Sequence, residues 1–91
     1  LAMITRQMRI LTHIALLRQR GVSPSEMERE LALSSFVLRR SYKQAERFAC
    51  DALVALYRAC VEADFAIKSG RLREEAALDA LIFRIGSSGA S

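Results

Sequence analysis

The chain has 91 residues, 52% of them hydrophobic and 26% charged, and a formal net charge of +4. That is one modest domain, with apolar material enough for a core but a small stability margin, because so short a chain buries only about two-thirds of its unfolded surface. Fourteen Ala, twelve Leu and twelve Arg against one Pro and four Gly are the composition of a helix former, which excludes a multi-domain enzyme, a membrane-spanning protein and a disulfide-stapled miniprotein.

In chain order, the first predicted helix runs from Met3 to Arg20. Ile4, Met8, Leu11, Ile14, Ala15 and Leu17 recur at three- and four-residue spacing. Ile10 and Leu16 widen that stripe, so the helix is expected to pack on two sides, and Gly21 ends it. Ser23-Pro24-Ser25-Glu26 is the sharpest local signal. Ser23 caps a helix, Pro24 takes its first position, and Glu26 stands three residues past the cap, where it completes a capping box. The short helix continues through Met27 and Leu31 and stops near Ala32-Leu33. Ser34 or Ser35 then caps a third helix, about Phe36 to Phe48, with Val37, Ser41, Gln44, Ala45 and Phe48 as its inward stripe. Arg39, Lys43 and Arg47 recur every four residues on another side.

The fourth helix spans about Cys50 to Lys68. Leu53, Leu56, Tyr57, Cys60, Val61, Phe65 and Ile67 cover so much of its circumference that it is expected to be the central one. Asp64 and Lys68 stand four apart in the favourable order, and Ser69-Gly70 terminates the helix. The fifth helix covers about Arg73 to Ile85, with Ala76, Ala77, Leu78, Ala80, Leu81 and Ile82 apolar. Gly86 is expected to stop it, leaving residues 1–86 as one helical domain and 87–91 as a disordered tail. No segment reads as a strand, so the fold class is all-α, a compact bundle of about five helices.

The charge is unevenly placed. Residues 1–50 hold nine Arg and Lys against four Glu, whereas residues 51–91 hold five cations against six Asp and Glu. A basic half suits either a nucleic-acid face or a solvated face that meets an acidic partner. Cys50 and Cys60 on one helix stand roughly 15 Å apart along its axis, beyond the reach of a disulfide. They read as small hydrophobes in a reducing compartment, which suggests the cytoplasm. Position 1 is Leu, and no secretory signal pattern follows. The chain is therefore expected to be a piece of something longer.

Catalytic chemistry finds little purchase. His13 is the one histidine and lies inside the first helix; neither cysteine has a histidine nearby in sequence to act as base. Glu74-Glu75 complements a helix dipole. No P-loop, dinucleotide fingerprint or metal-ligand spacing occurs, so no catalytic residue, metal or cofactor is expected. One constellation reads functionally. The short helix, turn and third helix of residues 23–48 resemble a helix-turn-helix that would carry Arg39, Arg40, Lys43 and Arg47 toward DNA. Such a motif wants a small residue where Glu28 stands and glycine where Ala32 stands, and a basic solvated face accounts for the same residues.

Four stretches in order carry a family resemblance. These are Met3-Ile4-Thr5-Arg6-Gln7-Met8-Arg9-Ile10-Leu11, Ser23 to Glu26 with Leu31-Ala32-Leu33, and Phe36 to Arg40 with Gln44 to Phe48. The most specific is the fourth, Ala63-Asp64-Phe65-Ala66-Ile67-Lys68-Ser69-Gly70-Arg71-Leu72. Over residues 1 to about 85 the chain resembles the C-terminal domain of the delta subunit of bacterial DNA polymerase III, part of the sliding-clamp loader. Glycine is common in that family at the position of Ala32, and a proline often seen at Ser35 is absent. The resemblance implies a helical collar domain. By that resemblance its role would be oligomerisation with delta-prime and gamma/tau-type subunits, in support of clamp loading during DNA replication. It implies contact with DNA and clamp only indirectly, through the complex, and none with a membrane. The parent subunit would belong to the DNA polymerase III holoenzyme, a nucleotidyltransferase, while this piece carries neither clamp opening nor ATP hydrolysis. Surplus apolar residues should then form a partner interface, with Phe36, Tyr42, Phe65 and Phe83 as candidate anchors.

Overall fold

The structure, a computed structural model, describes residues 1–88. It has five helices: α1 (Ala2–Gln19), α2 (Pro24–Leu31), α3 (Ser35–Ala45), α4 (Cys50–Lys68) and α5 (Glu74–Ser88), with no strand among the described residues. The all-α fold class holds.

Local signals set most of the boundaries. Ser23 and Glu26 form the expected capping box: the Glu26 amide donates to Ser23 Oγ at 3.4 Å, and the Ser23 amide donates to Glu26 Oε1 at 3.4 Å. The Val37 amide donates to Ser34 Oγ at 3.2 Å, so Ser34 is the cap of α3. Three helices end in the same hydrogen-bonded turn, with the chain entering the left-handed region. At α1 and α4 the residue is glycine, Gly21 at φ +78° and Gly70 at φ +77°. The Val22 amide reaches back to the Leu17 carbonyl, and the Arg71 amide to the Ala66 carbonyl. At α2 the residue is Ala32, at φ 53°, with the Leu33 amide on the Glu28 carbonyl. A Cβ in this region costs about 1 kcal/mol or more, so the α2–α3 turn holds a small strain that glycine would relieve.

Two helix ends differ from the sequence reading by more than one residue, the C-termini of α3 and α5. α3 stops at Ala45 rather than Phe48, because residues 46–48 form a tight turn in which the Phe48 amide donates to the Ala45 carbonyl. That turn folds half-buried Phe48 against the core and delivers Ala49, in extended conformation, as the N-cap of α4. α5 begins one residue later than expected, and it does not stop at Gly86. Gly86 keeps a helical conformation, and Ser87 Oγ donates to the Phe83 carbonyl at 3.0 Å. Glycine inside a helix costs about 1 kcal/mol relative to alanine but does not break it. Ser87 and Ser88 are therefore helical; residues 89–91 of the expected tail lie outside the described residues.

The hub is α1, not α4. It packs against α2, α3 and α4, whereas α4 packs on α1 and α5. Met8, Leu11, Ile14, Ala15 and Leu17 of α1 meet Met27 of α2, Leu38 and Ala45 of α3, Leu53, Leu56, Ala59 and Cys60 of α4, and Leu81 of α5 in one core. Val61 and Phe65, which made α4 look central, are exposed. On α3 the inward line is Leu38, Ser41 and Ala45. Leu38 is 3% exposed and Val37 38%, because Val37 lies one residue, about 100°, off that line.

Buried polar groups bind the helices together. Thr12 Oγ1 lies 2.7 Å from the Met8 carbonyl and 3.2 Å from the Leu53 carbonyl of α4, so its single proton is shared between its own helix and the neighbour. Gln7 of α1 donates from Nε2 to Gln44 Oε1 of α3 at 2.8 Å, with Ser41 Oγ at 3.4 Å.

Candidate interaction surfaces

Two outer regions of the bundle carry the features that the core does not use. The first is on α3. An α-helix turns about 100° per residue, which puts Phe36, Arg39, Arg40 and Lys43 on one side of it. All four are exposed, Phe36 at 61%. The Arg40 guanidinium lies over the Phe36 ring, 5.9 Å from its centre. None of Arg39, Arg40 or Lys43 has an ion-pair partner among the described residues; the side-chain pair that forms is Asp64–Lys68, at 3.0 Å on α4, as the spacing predicts. Arg47 is also exposed, but it stands in the turn after α3 rather than on the helix, so the four-residue cationic rhythm ends at Lys43.

Two depressions flank this line. A groove of about 410 Å³ runs between α2 and α3, with Pro24, Leu38 and Tyr42 among its walls. A shallower basin of about 230 Å³ is lined by Phe36, Arg39, Arg40 and Lys43. Arg39 and Lys43 border both. Glu28 and Glu46 stand in the groove as well. The neighbouring α2 carries Glu26, Glu28 and Glu30 against Arg29 alone. In a helix-turn-helix the first helix crosses the DNA backbone, and here that helix is acidic.

Most of the other exposed large apolar side chains lie in the second region, on α4, on α5 and in the turn between them. Val61 and Phe65 lie one turn apart on α4 and are exposed, Phe65 at 64%, with the Arg71 guanidinium 5.5 Å from its ring centre. Leu72 in the following turn, and Ile82 and Phe83 on α5, are exposed too, Phe83 at 76%. α5 fully buries only Ala77 and Leu81. Of the four anchor candidates, Phe36, Phe65 and Phe83 thus stand in solvent. Tyr42 is half-buried against the core, with the Arg18 guanidinium 5.7 Å from its ring centre.

Arg6, Arg9, Tyr57, Asp64 and Lys68 line a further depression of about 270 Å³, which holds neither the histidine nor a cysteine. His13 is exposed on α1. Cys50 and Cys60 are free thiols, Cys50 half-buried and Cys60 buried. Burial pushes the Cys60 thiol up, against smaller opposing effects of the Thr5 hydroxyl and Arg84, and so keeps it protonated and a poor nucleophile. Among the described residues no three His, Cys, Asp or Glu side chains group to hold a metal. No helix among the described residues is long and apolar enough to cross a membrane. Leu38 and the acidic flank of α2 are the two features of this region that the sequence expectations do not include. The first was visible as the i, i+3, i+7 line with Ser41 and Ala45; the second was visible as the run Glu26, Glu28, Glu30.

Fold and surfaces together define a five-helix bundle domain whose distinctive features are outward faces rather than a pocket of reactive groups. The chain belongs to the family described as DNA polymerase III delta subunit, C-terminal domain, whose family model matches residues 1–85. Comparison with curated proteins and with solved structures returns no match.

Proposed function

We propose that this domain is the assembly piece of a clamp-loader delta subunit, packing with delta-prime and gamma/tau-type subunits in the collar that supports loading of the sliding clamp during DNA replication. The observation that carries the reading is the apolar surface of α4 and α5. Val61, Phe65, Leu72, Ile82 and Phe83 are large hydrophobic side chains in water, and α5 fully buries only Ala77 and Leu81. Apolar residues exposed in this number on a domain this small mark an interface, and aromatic side chains are enriched at interface centres. Free, unbridged cysteines suit the reducing cytoplasm, where such a complex works. Catalysis and ATP turnover belong, in this reading, to other parts of the assembly.

Sedimentation velocity of the 91-residue chain, alone and mixed with delta-prime and gamma subunits, tests it. The chain is expected to co-sediment with those subunits. Phe65→Asp with Phe83→Asp should weaken association at least tenfold, because each buries a charge in an apolar interface, while circular dichroism still reports a folded bundle. Absence of co-sedimentation at high micromolar concentration overturns the reading.

A further inference from the structure

The α3 face is chemically unlike the exposed apolar residues of α4 and α5 and calls for a different partner. Arg39 and Lys43, one turn apart, form a cationic ridge between two depressions. On one side lies the groove with Pro24, Leu38 and Tyr42; on the other lies a basin holding Phe36 and Arg40. Three cations on one helix face have no ion-pair partner among the described residues, and an aromatic ring beside them is held largely in water. The basin side of the ridge is purely cationic, while Glu28 and Glu46 stand on the groove side. Cations beside exposed apolar walls are complementary to a segment of opposite charge that also carries an apolar side chain.

We propose that the α2–α3 groove and the adjoining basic ridge bind an acidic segment of a protein partner. Carboxylates of the segment sit on Arg39, Arg40 and Lys43, and one aliphatic or aromatic side chain enters the groove beside Pro24, Leu38 and Tyr42. The charge pattern selects a peptide over a nucleic acid. A phosphate backbone carries charge at every step and would have to run past Glu28 and Glu46, which stand in the same groove. A peptide places its carboxylates only over the ridge and leaves the α2 side uncharged. The site is independent of the collar reading, since it uses α2 and α3 of this chain alone.

Fluorescence anisotropy of a short labelled peptide, glutamates punctuated by leucine and phenylalanine, titrated with the 91-residue chain at low salt, tests the proposal. The expected result is saturable binding that weakens with added salt and falls about tenfold in Arg39→Glu with Lys43→Glu. Both residues are exposed, and an unchanged melting curve shows that the variant is folded. A peptide with serine in place of leucine and phenylalanine should bind several-fold more weakly. Three results overturn the proposal: no binding of the apolar-acidic peptide, equal binding of the serine version, or tighter binding of a duplex or single-stranded oligonucleotide of equal charge that the same double substitution abolishes. If the chain fails to join other loader subunits yet binds the peptide, only the collar reading falls.

Discussion

α3 and α5 are the two outer helices that differ most. Each buries a narrow line of residues, Leu38, Ser41 and Ala45 on α3, Ala77 and Leu81 on α5. The rest of α3 is spent on Arg39, Arg40 and Lys43, which water solvates well. Much of the rest of α5 is Ala76, Ala80, Ile82 and Phe83, all exposed. A cationic face is stable in isolation and selects partners by charge; an apolar face is at rest only when covered. The two helices therefore offer outer faces with different physics, cationic on α3 and apolar on α5. The acidic α2 beside α3 limits what the first can bind.

The largest effect separates both surfaces from the core beneath them. Leu53 is fully buried, and Leu53→Ala should cost about 3 kcal/mol in urea denaturation. Phe83→Ala should stay within about 0.5 kcal/mol, since its ring already lies in water. A large loss from Phe83→Ala would mean that α5 is built into the fold rather than offered to a partner. Next comes the buried thiol of Cys60 in the middle of α4. Its pKa is raised in the folded state by burial, so the unfolded chain loses the proton first. The Cys60 contribution is thus constant below the ordinary thiol value of 9.0 and erodes as pH rises above it. Stability measured across that range should fall more steeply in the native chain than in Cys60→Ala, and parallel slopes would contradict the assignment.

Smaller effects come from the helix ends. Ala32→Gly should stabilise the α2–α3 hairpin by about 0.5–1 kcal/mol, by relieving a left-handed Cβ. Gly86→Ala, with open space around the new methyl group, should stabilise α5 by about 0.5 kcal/mol. Thermal melts of both variants check these signs. If Gly86→Ala also strengthens association, a preformed last turn of α5 belongs to the interface.

How much of this was legible depended on how local each cause is. The capping box at Ser23 and Glu26, the glycine stops at 21 and 70 and the Asp64–Lys68 pair were legible, because each is decided within four residues. The burial of Leu38 rather than Val37 was half legible: the three-four spacing was in the sequence, but the choice of line depended on where α1 lies. The role of α1 as hub was hidden, because apolar circumference counts candidate contacts and not actual neighbours; α4 has the wider apolar surface and leaves part of it in water. The Gln7–Gln44 bond joins residues 37 apart, a separation at which no spacing rule operates. The candidate surfaces were legible as residue types, with Phe36, Phe65, Phe83 and the α3 cations all singled out. Their separation onto two faces, and the displacement of Arg47 into a turn, needed the fold.

Hydrogen exchange on the chain alone and in the presence of delta-prime and gamma subunits tests the central claim most directly. Alone, α5 should exchange faster than α1, because it buries only Ala77 and Leu81 whereas α1 buries a full line from Met8 to Leu17. In the mixture, amides around Val61–Phe65 and Ile82–Phe83 should gain protection of at least tenfold. Complex formation that leaves both segments at their free-chain exchange rates would contradict the account.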